Sequence, residues 1–121
     1  MNGYALNGWK KLVTLSGIIE PTKGDGEVWR AGQLSLTYVA PRPTRVVGYV
    51  VTSLHRHEVV IQSVMVRGEE QLVRPIVAEM FAQNVGHVLS LPSLAIGQAM
   101  TLKFAGSRGC GVEVELWGET R

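Results

Sequence analysis

The sequence predicts an all-β fold, an antiparallel β-sandwich of jelly-roll-like architecture with at most one short helix near residues 75–84. Three observations carry that prediction. Apolar and polar residues alternate strictly near the C-terminal end, valine-rich runs fill the middle of the chain, and glycines and prolines break it into segments roughly a dozen residues apart.

The C-terminal alternation is the plainest. Val112, Val114 and Leu116 alternate with Glu113, Glu115 and Trp117, so a strand there buries three aliphatic side chains and turns its two carboxylates and the indole the other way. Met100, Leu102 and Phe104 alternate in the same manner with Thr101 and Lys103, and the glycine-rich residues 105–111 between the two runs predict an antiparallel hairpin. Upstream, Leu34, Leu36 and Tyr38 alternate with Gln33, Ser35 and Thr37 until Pro41 and Pro43 remove backbone donors and stop the ladder. Residues 45–54 and 59–67 hold adjacent β-branched residues, which predicts strands covered on both sides or crossing between sheets. Residues 12–19 form a further β-type run before the turn at 20–26, and residues 87–91 form another before Pro92. Residues 69–85 admit two readings. Pro75 at a first helical position, the pairs Ile76/Met80 and Val77/Phe81, and Gly86 beyond them suit one or two helical turns, whereas a strand over 72–77 fits the same residues.

A chain of 121 residues suffices for one core. With 45% apolar and 18% charged residues it belongs to the globular class, and it shows no repeat and no linker-like break. The reading is an N-terminal arm, residues 1–11, followed by a single sandwich domain, residues 12–121. The arm spaces Tyr4, Leu6 and Trp9 with Asn and Gly, too irregular for a strand and too apolar for a free tail, so it wants a surface to lie on. The net charge is +2, and the twelve Lys and Arg residues are spread without a dense block, which argues against nucleic acid as a partner. Neither a signal-peptide pattern nor an apolar stretch of about 20 residues is present, so synthesis in a cytosol without a membrane anchor is expected.

The most chemical-looking feature is His55-Arg56-His57-Glu58, with His87 as a third imidazole. Two histidines two apart share a face of a strand and could reach one metal ion. Glu58, adjacent to His57, turns to the opposite face, and the surroundings of His87 lack the second motif of cupins, so polar residues at a strand junction is the preferred reading and a cupin-like metal site the alternative. Cys110 is the single cysteine, between two glycines in a turn before the last strand, and is read as structural. No serine lies in a nucleophile elbow. Glu69-Glu70 and Glu113/Glu115 are read as solvated acids, and Gly24-Asp25-Gly26 as a turn, because β-formers follow it where a phosphate loop needs a helix. No catalytic residue, cofactor or metal is assigned. Tyr4, Trp9 and Trp117 are the candidate interface residues: an outward tryptophan anchors a protein interface as readily as it packs under a terminal segment.

The second half of the chain resembles small jelly-roll structural proteins of bacteriophage virions, of the capsid decoration, cement or spike type. The residues behind the resemblance, which covers roughly Val59 to Glu119, are those of 64–73, Pro75 to Phe81, Leu89 to Gln98, Met100 to Phe104, and the closing strand from Val112 to Trp117-Gly118. The resemblance implies a non-enzymatic protein of the virion, assembled in the host cytoplasm. It would bind a major capsid or other virion protein and sister copies, commonly as a trimer, without nucleic acid or membrane. A glycan-binding fibre or spike domain is the other alternative.

Overall fold

A computed structural model describes residues 9–23, 29–54, 58–81, 89–107 and 109–121. The fold is an all-β sandwich of two antiparallel sheets. Its strands are β1 (Lys10–Ile19), β2 (Thr22–Lys23), β3 (Trp29–Arg30), β4 (Gly32–Val39), β5 (Thr44–Thr52), β6 (Val59–Val66), β7 (Glu69–Glu70), β8 (Ile76–Val77), β9 (Ala99–Gly106) and β10 (Cys110–Thr120). Sheet A has the order β1-β10-β5; β2 and β3 form a separate two-stranded ribbon, sheet B; sheet C has the order β4-β9-β6-β7, with β8 also paired to β6. Among the described residues no helix is long and apolar enough to cross a membrane.

Alternation decides which side chains enter the space between the sheets. Val112, Val114 and Leu116 of β10 stand opposite Gly17, Leu15 and Val13 of β1, and Val114 and Leu116 stand opposite Val51 and Tyr49 of β5. From sheet C come Leu34, Leu36 and Tyr38 of β4, Phe104, Leu102 and Met100 of β9, and Ile61, Val64 and Val66 of β6. Together these form one apolar cluster in which Phe104, Leu102, Met100 and Leu116 are wholly shielded from water. Burial on that scale is the main stabilising term of the fold, at about 25 cal/mol per Å² of apolar surface removed from water.

The expected hairpin of β9 and β10 does not form. β9 pairs with β4 and β6, and β10 pairs with β1 and β5, so the short connection after Gly106 carries the chain from one layer to the other. Both strands have a full apolar face, and placing them in opposite sheets buries the two faces within one core; alternation fixes a strand's inward face, not its neighbour. Cys110 lies within β10, opposite Ile19, and not in a turn. β1 opens at Lys10, inside the segment read as an arm. Residues 89–91 form no strand, although the Leu89 amide donates to the Val47 carbonyl.

The disputed stretch resolves into both of its readings. Ile76 and Val77 pair with β6, and Ala78–Phe81 make one turn of 3-10 helix, so Pro75 precedes a strand and not a helix. Phe81 stacks on Tyr49 with ring centroids 4.5 Å apart and tilted by 28°, which ties this turn to sheet A.

β5 is covered on both faces, as its valine run predicts. A bulge opposite Trp117 and Gly118 lets Val46 face the main core while Val47 and Val50 face outward, and all three are buried. The expectation fails for β6, which alternates after its own bulge and leaves Gln62 exposed. At the β5 bulge the two backbones come so close that a Cβ on Gly118 would lie 1.9 Å from the Arg45 carbonyl oxygen, whereas a Cβ on Gly111 of the same strand would meet nothing nearer than 4.0 Å. Gly118→Ala therefore lowers stability by about 1–3 kcal/mol or more, because a backbone atom cannot rotate away. Gly111→Ala stays within about 0.5 kcal/mol of the parent, and urea denaturation of the two variants checks the contrast.

Candidate functional site

The two sheets present unequal outer faces. On sheet C the outward positions are mixed: Ser35, Thr37, Thr101, Lys103 and Ser63 lie in adjoining rows, with the Thr37 and Thr101 hydroxyls 3.0 Å apart in a hydrogen bond, and Val39, Val60, Met65 and Val77 stand at the margins of the same face. Sheet A differs, because Val47 and Val50 point outward yet are 0% and 5% exposed. Among the described residues, half-buried Trp9 and Trp117 pack against them as a second small apolar cluster.

Polar groups hold the two indoles in place. The Trp117 indole N–H donates to Glu115 Oε1 at 3.1 Å, and the other oxygen of that carboxylate lies 3.9 Å from Lys11 Nζ. The Arg45 guanidinium stands over the Trp9 ring, 5.7 Å from its centroid, close enough for a cation–π attraction. A shallow depression of about 360 Å³ lies beside this cluster, lined by Trp9, Lys10, Gly118, Glu119 and Thr120.

At the other end of the same face, Ser16, Glu113 and Thr52 stand in one row across β1, β10 and β5. Next to them Gly111 carries no side chain, and a depression of about 460 Å³ opens over it. Two exposed aliphatic side chains, Ile18 at 62% and Leu54 at 93%, flank this region. The outer face of sheet A thus joins aromatic, aliphatic and a few charged groups in one surface, the composition typical of contact surfaces between proteins.

Trp9 and Trp117 come together in this way, an association that separation by more than a hundred residues conceals in the sequence. Trp117 faces away from the main core, as its alternation predicts, and also covers an apolar cluster of its own. Tyr4 lies outside the described residues, as do His55, His57 and His87, the imidazoles of the cupin-like reading. Among the described residues no group of three or more His, Cys, Asp or Glu side chains is placed to hold a metal ion.

Sequence reading missed Glu70, taken as a solvated acid. Its carboxylate accepts the Ser63 hydroxyl and the amides of Val64, Gln71 and Leu72, at 2.9, 3.1 and 3.2 Å for the three amides. These donors hold its pKa below the ordinary carboxylate value, the Ser63 hydrogen bond first among them. The carboxylate closes the β6 bulge and the turn at Arg67 and Gly68, both of which have positive φ. The signal available was the Arg-Gly pair followed two residues later by an acid, which marks a tight turn but not what the acid binds.

A carboxylate whose folded pKa lies below its unfolded one adds stability above the unfolded pKa, and that stability is lost as pH falls through the folded pKa. Glu70→Gln should therefore be less stable than the parent at neutral pH, with the gap closing as pH drops below the ordinary carboxylate range. Solvent screening of this exposed group keeps the gap modest. Thermal melts of both proteins across that range measure it; a gap independent of pH would assign the effect to shape instead of charge.

Comparison of the chain with protein-family models, with curated proteins and with solved structures finds no significant match.

Proposed function

We propose that this chain is a non-enzymatic structural protein that works by burying surface against its neighbours in an assembly, of the kind formed by decoration or minor capsid proteins of a virion. The observation that carries the reading is the outer face of sheet A, which presents the paired indoles of Trp9 and Trp117 over buried valines, with Ile18 and Leu54 exposed at the far end. A sandwich needs only one apolar face per sheet, the one turned to its core. A second apolar face on sheet A has no use in the core. It suits a contact in which rigid aromatic rings serve as anchors and the flanking charges of Lys11, Arg45 and Glu115 form the rim. The resemblance of residues 59–119 to virion structural proteins points the same way, and from it come the virion setting, the capsid partner and the homo-oligomer.

The test is whether the chain co-purifies with density-banded virus particles at a fixed copy number, and whether the outer face of sheet A mediates that association. Ile18→Lys combined with Leu54→Lys changes two side chains that are exposed, so the fold is kept. Particle occupancy is expected to fall at least about tenfold, while circular dichroism and the melting temperature stay unchanged. Absence of the chain from the particles, or full occupancy by the double variant, would overturn the reading.

A further inference from the structure

We infer that β4 is an open pairing edge through which two copies of this chain join, strand to strand and antiparallel about a twofold axis, to make one continuous sheet. This goes beyond the assembly reading and uses a different surface, the flank of sheet C instead of the outer face of sheet A.

A sandwich of two sheets has four lateral edges, and each exposes a row of backbone N–H and C=O groups unless something blocks it. Two of them are guarded along their length and a third at one end. The outer side of β5 is occupied by the segment that follows it in space: the Leu89 amide donates to Val47, and Thr44 and Leu94 exchange amide-to-carbonyl bonds at 2.8 and 2.7 Å. The far side of β6 carries only the two-residue strands β7 and β8, with Glu69 and Glu70 in the first and Pro75 immediately before the second. β1 opens with Lys10 and Lys11 and is bent by a bulge at Leu12. Charges, prolines, bulges and short strands are the devices that keep edges from pairing.

β4 has none of these. Its eight residues, Gly32–Val39, include no charge and no proline, and they pair with β9 in unbroken register from Gly32 opposite Gly106 to Val39 opposite Ala99. Among the described residues, no hydrogen bond reaches the strand from the side away from β9. Its core-face residues are also left open at that flank: Leu34 and Tyr38 are only half-buried, while Phe104 and Met100, their partners on β9, are wholly shielded.

An extended backbone is the ligand such an edge takes, and a second β4 fits for reasons of its own. Residues directly opposite in an antiparallel pair share a face. Centring the twofold on Leu36 sets Leu34 opposite Tyr38 and Ser35 opposite Thr37, so core face meets core face and polar face meets polar face along the whole strand. With no charge in the strand, self-pairing meets no repulsion, and Leu34 against Tyr38 is an aliphatic–aromatic cross-strand pair of the stabilising kind. The product is a closed twofold pair, not the trimer that the resemblance implies.

Sedimentation velocity of the full chain between about 1 and 200 µM is expected to show a monomer–dimer equilibrium. Ser35→Lys combined with Thr37→Lys places like charges opposite one another and should raise the dissociation constant at least about tenfold; because Ser35 stands opposite Lys103 and Thr37 bonds Thr101 within the monomer, some loss of melting temperature is expected, and circular dichroism checks that the fold is kept. Mixing that variant with Ser35→Glu combined with Thr37→Glu should restore a mixed dimer, seen by its mass in native mass spectrometry. A parent chain that is monomeric throughout, or a dimer indifferent to the lysines, would overturn the inference. Should the lysine variant fail to fold, hydrogen exchange on the unchanged chain decides: protection of β4 amides must rise with protein concentration, and its failure to rise would overturn the pairing. Dimers that pair through β4 but never enter particles would refute the assembly reading alone; particle binding by a chain that shows no β4 pairing would refute this inference alone.

Discussion

The placement of β9 and β10 in opposite layers is the constraint from which the rest of the molecule follows. Each lies between two long strands of its own sheet, and each turns an apolar face to the other sheet, so most of the best-shielded side chains belong to these two strands and their immediate partners. With β10 fixed between β1 and β5, its reverse face must carry Glu113, Glu115 and Trp117 outward. With β9 fixed between β4 and β6, its reverse face carries Thr101 and Lys103. The core therefore sets the chemistry of both outer faces, through nothing more than the period of a pleated strand.

That period is also why so much of the fold was legible. Runs such as Leu34-Ser35-Leu36-Thr37-Tyr38 state which side chains face inward, and the valines at 46, 47, 50 and 51 state that β5 is covered twice. Partner choice was not legible, because a strand with one apolar face satisfies its burial equally well beside many neighbours; hence the hairpin that β9 and β10 do not make. The bulges at Leu12, Gln62 and Val47 were equally hidden, since one extra residue in a strand leaves a local pattern that reads as noise. Pro75, Ile76 and Val77 were ambiguous for a further reason: a strand of two residues followed by a single 3-10 turn is shorter than either period needs to declare itself.

The outer face of sheet A was legible in part. Alternation turns Trp117 away from the core, but it does not reveal that Trp9, at the other end of the chain, covers the same valines. Contacts of that separation arise from topology: β1 and β10 are neighbours in sheet A although they are first and last in sequence. Glu70 shows the opposite limit. Its role depends on where the Ser63, Val64, Gln71 and Leu72 donors fall after a bulge and a tight turn have both been made, and no pattern of residue types encodes that convergence.

The segment at Leu89 and Leu94 that lies along β5 has a consequence for how large any assembly can grow. A β body with two bare flanks adds subunits at both sides and propagates without limit, as fibrils do. Here the β5 flank of sheet A is sealed by the chain's own backbone, so that sheet cannot be extended sideways without limit.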